Sequence, residues 1–223
     1  MIESVKDEFA RRSDEIDVLF SHIEFLAQAE DAHLSRVGNG IVPILSSSLC
    51  LMLYNQIEST AFSCVESIYD AIDERNVSFN SLVECFKKKI LNDCKESYHS
   101  GSSLLKSLQG GDIAAALARA SLKLDRVFSG NVDARKLREV LGFYNLLVTN
   151  PSLDNTGAEL LGIKDARNSL AHGASSFEKY GRDLTVKDLR SARDNVGEYM
   201  AHIINLTDSY LERQLYLDPS SVA

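Results

Sequence analysis

The chain has no tryptophan and, across 223 residues, only three prolines and 12 glycines. So few helix breakers leave long stretches free to follow a helical period. Strand alternation and β-hairpin signals are missing too, as are internal repeats and low-complexity tracts. Excess positive charge is also lacking: 24 Lys and Arg face 32 Asp and Glu, for a net charge of −8. A protein that coats nucleic acid is usually basic, because phosphate neutralisation supplies the non-specific affinity. Any handling of RNA here has to rest on a local cationic patch and a selective contact.

Several chemistries lack their parts. The four cysteines, Cys50, Cys64, Cys85 and Cys94, form no Cys-x-x-Cys pair and lie in helix-patterned segments. They read as free thiols in a reducing cytosol, since a chain this rich in core residues needs no disulfide staples. There is no His-x-x-x-His and no tight carboxylate constellation, so no metal and no cofactor are expected. A P-loop, a dinucleotide fingerprint and a Gly-x-Ser-x-Gly elbow are all missing. The start, Met1-Ile-Glu-Ser-Val-Lys-Asp-Glu, is charged and unlike a signal peptide. The most apolar stretch, Leu49 to Tyr54, is too short to span a bilayer. A cytoplasmic protein without membrane attachment is expected.

What is present is helical periodicity. The chain reads as one all-α domain over residues 1–223, a helical bundle. A first helix is expected from about Val5 to Ser35, broken by Gly38-Asn39-Gly40. A second starts near Pro43 and runs to about Asp73, apolar on most sides and therefore central. A third spans about Asn80 to Ser97, with Leu82, Val83, Phe86, Ile90 and Leu91 inward. Residues 100–111 read as a loop and 113–127 as a short helix. Asn131 then serves as N-cap of a helix carrying Leu137, Val140, Leu141, Tyr144 and Leu147, which ends at Thr149-Asn150-Pro151. A helix of about 156–173 is stopped by Gly173. Thr185 and Asp188 form a capping box for a last helix of about 186–213, whose apolar spacing suits pairing with another helix along its length.

One segment carries chemistry: Arg167-Asn-Ser-Leu-Ala-His172-Gly173. Cleaving RNA through its own 2′-hydroxyl needs a base, an acid and a cation. Histidine suits both proton transfers, and arginine offers phosphate a fixed, always-charged fork. Five residues of helix separate Arg167 and His172 by about 7.5 Å of rise and about 140° of rotation. The two can flank a phosphate but not point alike at one atom. One histidine is thin for two proton transfers, and a two-fold partner would bring a second. By itself Arg-x-x-x-x-His is a common spacing, and an exposed arginine beside a histidine capping helix-end carbonyls is the plainer reading. Lys164, one turn earlier, is a candidate for binding the substrate's phosphate, or simply a solvated lysine. Asn55 and Glu58 interrupt the apolar line of Leu51, Phe62, Val65 and Tyr69. Buried there, they need partners, and Glu58 bracing Arg167 is one way to supply them.

The wider context resembles a known superfamily. Arg167, Asn168 and His172, on the penultimate long helix of an all-α chain, match the signature of the HEPN superfamily (higher eukaryotes and prokaryotes nucleotide-binding). Tyr54-Asn-Gln-Ile-Glu58, Phe128-Ser-Gly-Asn-Val-Asp-Ala-Arg135 and Ser175-Ser-Phe177 resemble a HEPN-like nuclease family of cyanobacterial and other bacterial defence loci. The resemblance implies a HEPN bundle with additional helices, a homodimer and a composite active site. It implies a metal-independent endoribonuclease, acting as a toxin or anti-phage effector, with RNA as substrate and an antitoxin or defence-system protein as partner. Arg167 and His172 would be catalytic, and Asn168 would orient the substrate or the partner's motif. Two alternatives stay open: a non-catalytic HEPN interaction module, which the acidic charge favours, and a nucleotide-binding regulator.

Overall fold

A computed structural model describes residues 2–28, 35–97, 128, 131–148 and 156–221. Among them are seven α-helices: α1 (Ile2–Gln28), α2 (Ser35–Glu74), α3 (Glu84–Ser97), α4 (Ala134–Gly142), α5 (Thr156–Ala171), α6 (Phe177–Gly181) and α7 (Val186–Glu212). The described residues contain no strand, only an isolated backbone bridge between Leu82 and Leu217. The all-α, HEPN-like class read from the sequence is the class observed. The loop expected at 100–111, the helix at 113–127 and the stop at 149–151 lie outside the described residues.

The centre is α2. Between Gly40 and Glu74 it is long and apolar enough, by composition, to cross a membrane. In the fold α1, α5, α6 and α7 all pack on it and bury its central part, while Ile41 and Ile44 near its start stay exposed. Leu49, Leu53, Ile57, Ala61, Cys64, Val65 and Ile68 are buried along its length. Each large aliphatic side chain removed from water there stabilises the fold by about 1.5–3 kcal/mol. Cys50, Cys64 and Cys85 are free thiols; burial pushes the Cys50 thiol up to about 11 and that of Cys64 to about 12, so both stay protonated. Tyr69, Phe86 and Tyr144 meet edge to face, with ring centroids 4.9–5.8 Å apart, and join α2, α3 and the end of α4. The Tyr210 hydroxyl donates to the Tyr144 carbonyl at 2.6 Å and ties α7 to the same cluster.

Local chemistry sets several boundaries as expected. The Thr185 hydroxyl accepts from the Asp188 amide at 3.1 Å, and Asp188 accepts from the Thr185 amide at 3.0 Å, closing the capping box on α7. Gly173 has φ +69°, the left-handed geometry that ends α5. Other boundaries differ. Helix α2 is continuous over Ser35–Glu74, so Gly38-Asn39-Gly40 and Pro43 lie inside a helix and break nothing, while residues 29–34, over which the first helix was expected to run on, lie outside the described residues. Glycine costs a helix only about 1 kcal/mol, which tertiary packing overrides. Asp133, not Asn131, caps α4, accepting from the Lys136 amide at 2.9 Å. Helix α4 ends at Gly142 because Asn145 turns left-handed with φ 63°; Leu146 is then buried and Leu147 is 66% exposed. Leu91, read as inward, is 51% exposed on α3.

Two further differences bear on function. The apolar spacing of α7 is consumed within the chain: Leu189, Ala192, Val196, Tyr199, Ile203 and Tyr210 are buried against α1, α2 and α5. It is therefore not a free face for a second copy. The short helix α6 was not legible in the sequence. It packs on α2, with the Ser47 hydroxyl donating to the Phe177 carbonyl at 2.7 Å.

Candidate active site

Arg167, Asn168 and His172 lie at the C-terminal end of α5. The His172 amide still bonds the Asn168 carbonyl at 3.2 Å, so the helical register runs through the motif. Gly173 then turns the chain away, and the Ala174 amide closes on the Ser169 carbonyl at 2.9 Å. Arg167 and Asn168 are half-buried, and His172 is exposed.

Arg167 is held by neutral groups. Its guanidinium carbon stands over the Tyr54 ring, 5.3 Å from the centroid, and Nη1 donates to Asn168 Oδ1 at 3.0 Å. Among the described residues no carboxylate pairs with it, nor with Arg75, Arg135, Arg138 or Arg213, whereas Arg11, Arg12, Arg182, Arg190 and Arg193 each pair with one. Hydrogen-bond partners among the described residues occupy one of the guanidinium's five N–H donors, and the others are chemically suited to an anion. The Asn168 amide donates in turn to Asn131 Oδ1 at 3.0 Å. Asn168 thus spends both ends of its side chain on holding Arg167 and tying α5 to the start of α4.

The remaining sequence candidates fall differently. Asn55 is exposed, not buried, so the need for an internal partner disappears. Glu58 is half-buried and reaches Tyr54, whose hydroxyl lies 3.5 Å from Glu58 Oε1, rather than Arg167. Lys164 is bonded to Asp133 at 3.0 Å, with side chains only 17% and 9% exposed, so its ammonium is committed to a carboxylate. Tyr54 and Asn131 were missed as site residues. The available signal was the Tyr54–Glu58 spacing of one helical turn, which puts both on one face of α2. Burial is the largest influence on the Tyr54 phenol and pushes it up; Glu58 adds to this, while the Val132 amide and Arg167 pull the other way. It stays a neutral donor. Among the described residues no cluster of three or more His, Cys, Asp or Glu is placed to hold a metal ion.

The model of the HEPN_MAE_28990-like HEPN family matches residues 1–216. The chain belongs to that HEPN family. No curated protein and no solved structure matches it. HEPN domains are generally nucleases or nucleotide-binding proteins.

The Asp133–Lys164 pair sits beside this site and makes a prediction of its own. Burial would raise the Asp133 carboxyl, but the Lys136 amide and Lys164 outweigh it and hold the group below the usual carboxylate range. Asn caps a helix as well as Asp does, so Asp133→Asn removes the charge and keeps the cap. The expected loss is about 1–3 kcal/mol at neutral pH, read from urea midpoints. A carboxyl depressed on folding stabilises above its unfolded value of about 3.8 and loses that contribution as pH falls through the lower folded value. The gap between wild type and D133N should therefore close in that acidic range. A gap that persists there would mean the charge is not what matters.

Proposed function

We propose that this HEPN protein is an endoribonuclease that cleaves RNA by attack of the 2′-hydroxyl on the adjacent phosphorus, with no metal in the step. The P–O5′ bond breaks, leaving a 2′,3′-cyclic phosphate and a 5′-hydroxyl. Arg167 binds the scissile phosphate and balances the charge that builds on its oxygens. His172 moves the protons, from the 2′-hydroxyl or to the leaving O5′. Asn168 orients Arg167. The observation that carries the reading is a half-buried guanidinium that pairs with no carboxylate among the described residues, five positions along the chain from an exposed imidazole.

A single His172 handles one proton transfer well, so the active form is proposed to be a homodimer in which two motifs face each other. The surface in question is α5 itself. Leu161 (45% exposed), Asp165 and His172 follow helical spacing along its outer side. In the cell we place the protein in the cytoplasm as a toxin or anti-phage effector, restrained or triggered by an antitoxin or defence-system protein.

The test is cleavage of RNA by purified protein in EDTA, with end-group analysis. Cyclic-phosphate ends that disappear in His172→Ala support the reading. A folded dimer that cuts no RNA supports the second reading, an interaction module, which the net charge of −8 favours. Band-shift and sizing measurements on the same samples report RNA binding and the dimer.

A further inference from the structure

Residues 131–133 are three consecutive positions ahead of α4, and each holds a different part of the site. Asn131 Oδ1 takes the Asn168 amide at 3.0 Å; the Val132 amide donates to the Tyr54 hydroxyl at 3.3 Å; Asp133 holds Lys164 at 3.0 Å. The first two converge on Arg167. Asn168 carries one guanidinium nitrogen, and the Tyr54 ring lies against the guanidinium, 5.3 Å from its carbon. Tyr54 itself is 1% exposed, packed in the central helix, and its hydroxyl is met by Val132 on one side and Glu58 on the other. A long, flexible arginine at a helix end ordinarily samples many rotamers. Here a rigid ring from α2 and an amide from α5, both braced by the same short segment, leave it one place to be.

We propose that Tyr54 is a positioning residue for Arg167. Its buried ring sets where the guanidinium stands, and residues 131–132 lock both the ring and Asn168, so the phosphate-binding group is held in place before substrate arrives. The effect on rate rests on the nuclease reading above, but the placement does not. Cation–π contact with a ring shielded from water, combined with lost orientation, puts the rate effect at about 3- to 30-fold. A tyrosine that is only a core aromatic would act through stability alone.

The experiment has two arms. In the first, the δ-methylene and Nε–H resonances of Arg167 are assigned by NMR, using Arg167→Lys to identify them. Over a ring face they are displaced upfield in the wild type, stay displaced in Tyr54→Phe and return to ordinary arginine positions in Tyr54→Leu. Ordinary positions in the wild type overturn the proposal without any Tyr54 variant having to fold. In the second arm, single-turnover cleavage at saturating RNA falls by about 3- to 30-fold in Tyr54→Leu and by less in Tyr54→Phe, which keeps the ring and loses the hydroxyl. Repeated in an Arg167→Ala background, Tyr54→Leu costs nothing more. An equal loss in both backgrounds means that Tyr54 does not act through Arg167, and overturns the proposal. If wild-type protein cuts no RNA, the nuclease reading falls and the resonance positions alone decide the placement of Arg167.

Discussion

Replacing Arg167 by lysine is expected to cost nearly as much cleavage as replacing it by alanine, on the order of 10²–10³-fold in kcat. Lysine keeps the charge but not the plane. The planar group is what stands over Tyr54 and what gives Nη1 to Asn168, and a lysine ammonium is a compact point charge on a mobile stem. Stability should move little: about 0.5–2 kcal/mol for losing the stacked contact, visible as a small drop in Tm. His172→Ala should abolish activity to a similar degree while shifting stability by no more than about 0.5 kcal/mol, because His172 is exposed. The measurement is single-turnover cleavage beside thermal melts of the same preparations. Near-wild-type cleavage by Arg167→Lys would reduce the arginine to a diffuse positive charge and remove the reason for its ordered setting.

The largest effect on stability is expected at Gly181, at the end of α6. A Cβ placed there would stand 1.9 Å from the Pro43 carbonyl oxygen and 2.5 Å from its carbon, both backbone atoms that have no rotamer to change. The two helices touch backbone to backbone, and Gly181→Ala has to push them apart. The cost is put at about 3 kcal/mol or more, at the upper end of overpacking effects. Gly173 offers the contrast. Nothing lies within 4 Å of its absent Cβ, so Gly173→Ala meets only the strain of a positive φ, about 1–2 kcal/mol. Denaturant midpoints of the two variants separate these causes. If Gly181→Ala proves the milder of the pair, the close approach of α6 to α2 is not a constraint on the fold. Because α6 follows the motif turn directly, its docking also fixes how the chain leaves His172, so Gly181→Ala should lower cleavage as well.

Local code was legible where one element contains its own cause. The capping box of α7, the glycine stop of α5 and the all-round apolar character of α2 each follow from residues within a few positions of one another. The candidate motif is local in the same way, being seven consecutive residues. Boundaries that depend on neighbours were not. Gly181 of α6 lies against the Pro43 backbone of α2, and α6 left no periodic signal because it is five residues long.

The surroundings of the motif belong to tertiary structure alone. The sequence named Arg167 and suggested Glu58 as its brace; the fold put Tyr54 between them and gave Lys164 to Asp133. It also buried the face of α7 that reads as an unpaired seam. The physical reason is common to these cases. A sequence period states which side of a helix avoids water, and so determined the class of this protein and its central helix. It does not state how each helix is rotated against its neighbours. That rotation is set by packing among all of them at once, and it alone decides which aromatic ring a guanidinium meets and which cation a carboxylate keeps.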